Sequence, residues 1–321
     1  MKIIDAQIHS PHIGGSLGGV APADLAITPE LNTYINVELA REAIDCVGVD
    51  KALVFAHKEF MDEAVKRYPD RFAGVLVFDH TAPDLEERIA TFRATPGMLG
   101  CRAIMSNYTQ LQMWKNHSVS AADVRLNEQY SRGEYDRYFA YAEKYDLPMF
   151  IGGQDFGYKA AEIAERYPGL TLIIDHFGIT QSLAKPIEGD RWAALPKVLE
   201  AARYPNIYVK CCGVPVISRE GYPYKDVWPY FHQVLNAFGP ERCMWASDYT
   251  RMRWGVSTPP DATGFSPRKD WKSYADTLHF LLYSNEISQS DKEQLFGGAV
   301  RRALRWQDDQ APAQSASEIM A

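Results

Sequence analysis

The stretch Trp245-Ala-Ser-Asp248-Tyr249 sets a carboxylate at the end of the apolar run Cys243-Met244-Trp245-Ala246 and follows it with an aromatic residue. A buried strand ending in an ionisable group is how parallel α/β enzymes present a catalyst, because the strand fixes the backbone and the next loop adds contacts. Asp248 can equally cap the following turn. The same ending recurs along the chain, which favours chemistry. Short apolar runs close on Gln7 and His9, His57, His80, Arg102, Gly152-Gly153-Gln154-Asp155, Asp175-His176 and Lys210. His176 and Asp248 follow the two most apolar runs, where an unpaired polar group is costly, so they lead the candidates. His57 and His80 are explained as well by bonds to loop carbonyls, and Lys210 by an ion pair or a snorkelling stem. A convergent ring of such groups in an apolar surround is the pattern of a polar site.

The runs themselves are Ile3 to Ile8, Ala52 to Phe55, Gly74 to Phe78, Gly100 to Ile104, Pro148 to Ile151, Thr171 to Ile174, Ile207 to Lys210 and Cys243 to Ala246. They are too short for buried helices and rich in β-branched and aromatic residues, so they predict strands buried on both faces. Amphipathic stretches alternate with them, among them Val37 to Val47, Asp84 to Thr95, Tyr158 to Tyr167, Trp192 to Arg203 and Val227 to Phe238. Several stop at Gly48 or at Tyr167-Pro168-Gly169, residues that end a helix. Strands alternating with helices predict an α/β fold, a (β/α)8 TIM barrel, as a single domain over residues 1–306 with long βα loops over its active face. A doubly wound open sheet is the alternative. It would want a phosphate-binding turn after the first strand, and Gly14-Gly15-Ser16-Leu17-Gly18-Gly19 sits among prolines with no helix directly behind it. The long segments from Ser106 to Arg132 and from Tyr249 to Trp271 read as site-covering loops. Ser290-Asp291-Lys292-Glu293 reads as a capping box, and the tail over residues 307–321 as disordered.

With 321 residues, 46% of them hydrophobic, the chain can bury a large core. A formal net charge of −7 argues against nucleic acid or an anionic membrane surface as partner. The expected partner is a small-molecule substrate, and a homo-oligomer is left open. Cys46, Cys101, Cys211, Cys212 and Cys243 are odd in number without CxxC spacing. They read as reduced core thiols. With no apolar leader or spanning run in the sequence, a cytoplasmic protein is the expectation.

Five motifs carry a family resemblance: Ile4-Asp5-Ala6-Gln7-Ile8-His9, Ile174-Asp175-His176-Phe177-Gly178, Val209-Lys210-Cys211-Cys212-Gly213, Trp245-Ala246-Ser247-Asp248-Tyr249 and Leu295 to Arg302. In order and spacing, from the first strand to about Trp306, the chain resembles the amidohydrolase-related proteins. The branch is the one holding pyrone-dicarboxylate lactonases, fuconolactonases and aminocarboxymuconate-semialdehyde decarboxylases. That resemblance implies a (β/α)8 barrel with an HxH pair on the first strand, histidines after the fifth and sixth and an Asp after the eighth. His9 matches the second His of the pair, His176 the sixth-strand His and Asp248 the eighth-strand Asp. Gln7 replaces the first His, and Gly152-Gly153 with Gln154 beyond occupy the fifth-strand position.

The departures bear on metal. In metal-using relatives the first-strand pair, the fifth-strand His and the Asp hold the ion, whereas zinc binds an amide such as Gln7 poorly. The resemblance therefore implies metal-independent hydrolysis of a small carboxylated lactone or similar cyclic ester or amide, with no cofactor. Asp248 would activate water, and His176 and His9 would donate to the carbonyl oxygen. Arg102, Lys210 and Arg251 would hold a substrate carboxylate. Gln7, Gln154, Tyr108 and Tyr249 would complete the substrate contacts, with Trp114, Phe156 and Trp254 as further apolar walls. Two alternatives stay open: a non-oxidative decarboxylase with Zn or Mn on His9, His176 and Asp248, and a non-catalytic small-molecule binding barrel.

Overall fold

The apolar runs form eight parallel strands in the order of the chain. The computed structural model describes residues 1–11, 28–55, 58–105, 128–152, 157–179, 190–250 and 273–306. The strands are β1 (Ile4–Ile8), β2 (Lys51–Phe55), β3 (Phe72–Val77), β4 (Met98–Ile104), β5 (Met149–Gly152), β6 (Leu172–Ile174), β7 (Ile207–Cys212) and β8 (Cys243–Ala246). The crossovers carry α1 (Pro29–Val47), α2 (Lys58–Arg67), α3 (Leu85–Ala94), α4 (Asp136–Lys144), α5 (Lys159–Arg166), α6 (Leu195–Glu200) and α7 (Trp228–Phe238), with α8 (Tyr274–Leu282) beyond β8. This is the predicted (β/α)8 barrel. The open-sheet alternative falls, because β8 returns to β1: the Asp248 N–H donates to the Gln7 carbonyl at 3.1 Å.

Strand residues alternate between two apolar layers. Leu53, Phe55, Phe150, Ile173, Tyr208 and Met244 fill the barrel, while Ala52, Val54, Met149, Ile174, Val209 and Trp245 pack outward on the helices. The two-residue period then dictates what stands at the top of each strand. Asp175 follows Ile173 inward, Lys210 and Cys212 follow Tyr208, and Asp248 follows Met244 and Ala246. Strand β1 breaks the period. Ile4 and Ala6 face in, yet Ile8 packs in the outer layer, because the register against β2 shifts between Asp5 and Ile8. Such a bulge re-aims side chains, and here it turns Gln7 and His9 inward.

Three local expectations are corrected. Helix α1 starts at Pro29, eight residues before the predicted stretch, because Thr28 caps it by accepting from the Leu31 N–H and proline suits the first turn. The capping box belongs to Ser288 and Asp291. Ser288 is the residue with extended backbone, and Ser290 already lies inside the helix. Cys46 is exposed on α1 and is no core thiol. The glycine-rich stretch Gly14 to Gly19, the two long loops over most of their length and the tail over residues 307–321 lie outside the described residues. No described helix is long and apolar enough to cross a membrane.

Candidate active site

Gln7 stands at the centre. Its Nε2 donates to Asp248 Oδ1 at 2.8 Å and lies 3.2 Å from His9 Nε2, while its Oε1 accepts from the Lys210 ammonium. His9 Nδ1 faces the Phe55 carbonyl. A carbonyl only accepts, so Nδ1 carries a proton and the neutral ring presents the Nε2 lone pair to the Gln7 amide. Asp248 Oδ1 lies 3.2 Å from the same Nε2. His9 therefore donates into the site only when protonated, and otherwise it orients Gln7. The His9 N–H in turn donates to Thr250 Oγ1 at 3.0 Å, tying β1 to the turn after β8.

A second cluster adjoins the first. Lys210, wholly buried, pairs with Asp175 Oδ1 at 2.5 Å, and Arg102 pairs with Asp175 Oδ2 at 2.6 Å. The Lys210 ammonium lies 4.6 Å from the Phe55 ring centroid and 5.2 Å from that of Phe150, which adds cation–π attraction. Burial pushes the Asp175 carboxyl up, but the Arg102 and Lys210 charges outweigh it and leave the group below its ordinary range. Two cations on one carboxylate leave one positive charge over. Arg102 owes its place to Gly152, since a Cβ there would meet Arg102 Nε at 2.7 Å. Arg102 Nε has no acceptor among the described residues.

His176 and Asp248 meet across the barrel mouth. One donor atom of each lies within 4.8 Å of the other, and Cys212 Sγ joins them at the same limit. Both residues adopt left-handed backbone, with φ of 51°, a conformation that costs about 1–3 kcal/mol in a non-glycine residue and gathers at functional sites. Burial, followed by the Lys210 charge, lowers the His176 pKa from 6.5 to about 4, so its ring is neutral at physiological pH.

The residue that sequence reasoning passed over is Asp5, although a carboxylate between Ile4 and Ala6 was a visible anomaly. Its Oδ1 accepts from the N–H groups of Gln7 (3.0 Å) and Ser247 (2.9 Å), and its Oδ2 from the Tyr274 hydroxyl at 2.7 Å. Asp5 thereby closes the seam between β1 and β8 directly beneath Gln7 and Asp248. Burial lifts its pKa from 3.8 to about 6 against the pull of these donors.

Asp5 and His176 oppose each other in pH. Between pH 4 and 6.5 the unfolded chain protonates His176 and the folded one does not, so acidification destabilises. Between pH 3.8 and 6 the folded chain protonates Asp5 and the unfolded one does not, so acidification stabilises. Each contribution is about 3 kcal/mol, at about 1.4 kcal/mol per unit, and the two nearly cancel. Asp5→Asn should expose the His176 contribution: unfolding free energies from urea titrations at neutral pH and at pH near 4.5 should fall more in the variant than in the wild type, by about 2 kcal/mol. Equal falls would remove Asp5 from the account.

Of the other predicted site residues, Tyr249 is buried, with its ring stacked on Tyr274 at 4.1 Å and 9° between planes. His80 stacks on Tyr135 at 3.8 Å and is not among the groups around Asp248. His57, Tyr108, Trp114, Gln154, Phe156, Arg251 and Trp254 lie outside the described residues.

The first-strand position at which the resemblance implies a metal offers poor ligands here. Gln7 offers an amide whose oxygen already accepts from an ammonium and whose nitrogen faces Asp248. On β5 the Arg102 guanidinium fills the space beside Gly152.

Known proteins agree with this architecture. The chain is 33% identical over 78 residues to a 4-sulfomuconolactone hydrolase of Rhizobium radiobacter, covering 24% of each chain. It is 34% identical over 90 residues to the L-fucono-1,5-lactonase of Burkholderia ambifaria, covering 27% of this chain and 28% of that one. These matches thus span about a quarter of each relative. The crystal structure of an amidohydrolase from Burkholderia multivorans with bound zinc superposes with a TM-score of 0.64 at 20% identity, covering 96% of this chain and 100% of that one. At that identity the likeness is one of fold. The amidohydrolase family model matches residues 5–306, nearly the whole barrel, and the chain belongs to that family.

Proposed function

We propose that the protein hydrolyses a small carboxylated lactone, or a similar cyclic ester or amide, without a metal ion. The carrying observation is the meeting of Asp248 and His176 donor atoms within 4.8 Å at the mouth of the barrel, beside a buried ammonium. That gap is too narrow for a substrate ring and admits one water, set off the line between them at about 2.8 Å from each. The water oxygen attacks the lactone carbonyl carbon while Asp248 takes its proton. The neutral His176 ring donates its N–H to the carbonyl oxygen as negative charge builds there, and the nearby Lys210 charge favours that build-up. Collapse of the tetrahedral adduct breaks the ring C–O bond, and the leaving oxygen recovers the proton from Asp248. The products are the hydroxy acid and the unchanged enzyme. Gln7 and His9 keep the carboxylate aimed.

The lactone hydrolases among the relatives support the reaction class, and the Arg102 guanidinium, whose Nε has no acceptor among the described residues, supports an anionic substrate. A screen of carboxylated lactones and their methyl esters tests the reading. On a substrate that turns over, Arg102→Met should raise KM for the free acid by about 10–100-fold, the worth of one charge-assisted contact. KM for the ester should change much less. Equal changes for acid and ester would remove the clamp role, and no turnover across the panel would count against the lactonase reading.

A further inference from the structure

The inward period of β7 that aims Lys210 at Gln7 also brings Cys212 to the site, one turn of pleat nearer the mouth. Its sulfur, one ring nitrogen of His176 and one oxygen of Asp248 lie within 4.8 Å of one another. The three residues are buried, His176 at 9% exposure. His176 Nδ1 is buried with no hydrogen-bond partner among the described residues, a state uncommon for a buried polar atom. An imidazole, a thiol and a carboxylate thus converge from the ends of three successive strands, two of them on strained backbone.

We infer that His176, Cys212 and Asp248 form a site for one zinc-like divalent cation, and that its occupation inhibits hydrolysis. Nitrogen, sulfur and oxygen donors suit zinc, whose bonds of about 2.0–2.3 Å set tetrahedral ligands about 3.5 Å apart. The present spacing closes to that by side-chain movements of about 1 Å. Three ligands leave the fourth position for water. Charge also balances: a thiolate and a carboxylate neutralise a dication, so the neighbouring Lys210 ammonium faces no net repulsion. Asp248 and His176 are shared with the metal positions that the family resemblance leaves open, and Cys212 has no counterpart among them. The sign of the effect rests on the proposed hydrolysis, because an ion on Asp248 occupies the oxygen that would take the proton from water.

The test uses the full chain carrying Cys46→Ala, which removes the exposed thiol. The protein is stripped with a chelator, then titrated with cobalt(II) alone and with zinc alone. One ion per chain should bind, with a near-ultraviolet thiolate-to-cobalt charge-transfer band. Cys212→Ser should abolish the band and weaken binding by more than about tenfold. Failure to bind one equivalent, binding without the band, or a band that survives Cys212→Ser would each overturn the site. Should Cys212→Ser not fold, His176→Gln takes its place, with weaker binding expected and unchanged binding contradicting the proposal. The band needs no substrate, so the site is judged independently of lactone hydrolysis. Zinc that displaces cobalt and its band yet raises turnover would overturn the inhibitory sense alone.

Discussion

Asp248→Asn should lower kcat for the proposed lactone hydrolysis by about three orders of magnitude, within the range that a positioned general base supplies. The substitution tests chemistry with little disturbance to the fold. Asparagine keeps an acceptor oxygen for Gln7 Nε2, which donates to Asp248 at 2.8 Å. It is also among the few residues at ease in left-handed backbone, and Asp248 has a φ of 51°. What it lacks is a basic oxygen for the water proton. KM should therefore change little, and the thermal midpoint should stay close to that of the wild type. Turnover near the wild-type rate would transfer the base to another group.

Lys210→Met has the largest expected effect on stability. The ammonium is wholly buried between Asp175 and Gln7 Oε1, against the rings of Phe55 and Phe150. Methionine fills the volume and removes the charge. Asp175 then keeps Arg102 alone, and Gln7 Oε1 loses its donor. Breaking one side of a buried pair costs about 3–5 kcal/mol, which denaturant unfolding would read directly. A second readout separates electrostatics from packing. Burial and then the Lys210 charge hold the His176 pKa near 4; without that charge it should rise toward its ordinary value. An NMR titration of the His176 ring would follow it. An unmoved titration beside a large loss of stability would show that Lys210 serves packing only.

Most of the barrel was legible because fully buried parallel strands are written as short apolar runs, and eight of them appear in order. The functional endings were legible for the same reason: a polar residue closing such a run has few innocuous explanations. What escaped detection depends on register. Strict alternation from Ile4 would send Gln7 and His9 outward, and only the bulge between Asp5 and Ile8 brings them in. No residue type in that stretch announces a bulge. Cys212 was read as core because thiols usually are, yet Lys210 pointing inward already implied that Cys212, two residues on, does too. Asp175 was seen as a strand ending, but its role as the shared partner of Arg102 and Lys210 depends on the space left by Gly152, which only the assembled barrel makes visible. The role of Asp5 is not visible in its motif, since its three donors come from β1, the end of β8 and α8, far apart in sequence.

In the proposed reaction the Lys210 ammonium, held by Gln7 and Asp175, supplies beside the attacking water the positive charge that a metal ion would supply in a metal-dependent hydrolysis. The substitution of charge for metal is the point on which the functional reading turns. Its most direct measurement is the rate of lactone ring opening by the full chain after exhaustive chelation, with metal content of the same sample determined by elemental analysis. The account predicts undiminished turnover at far less than one ion per chain, whereas a rate that disappears with the metal and returns in proportion to added ion would contradict it.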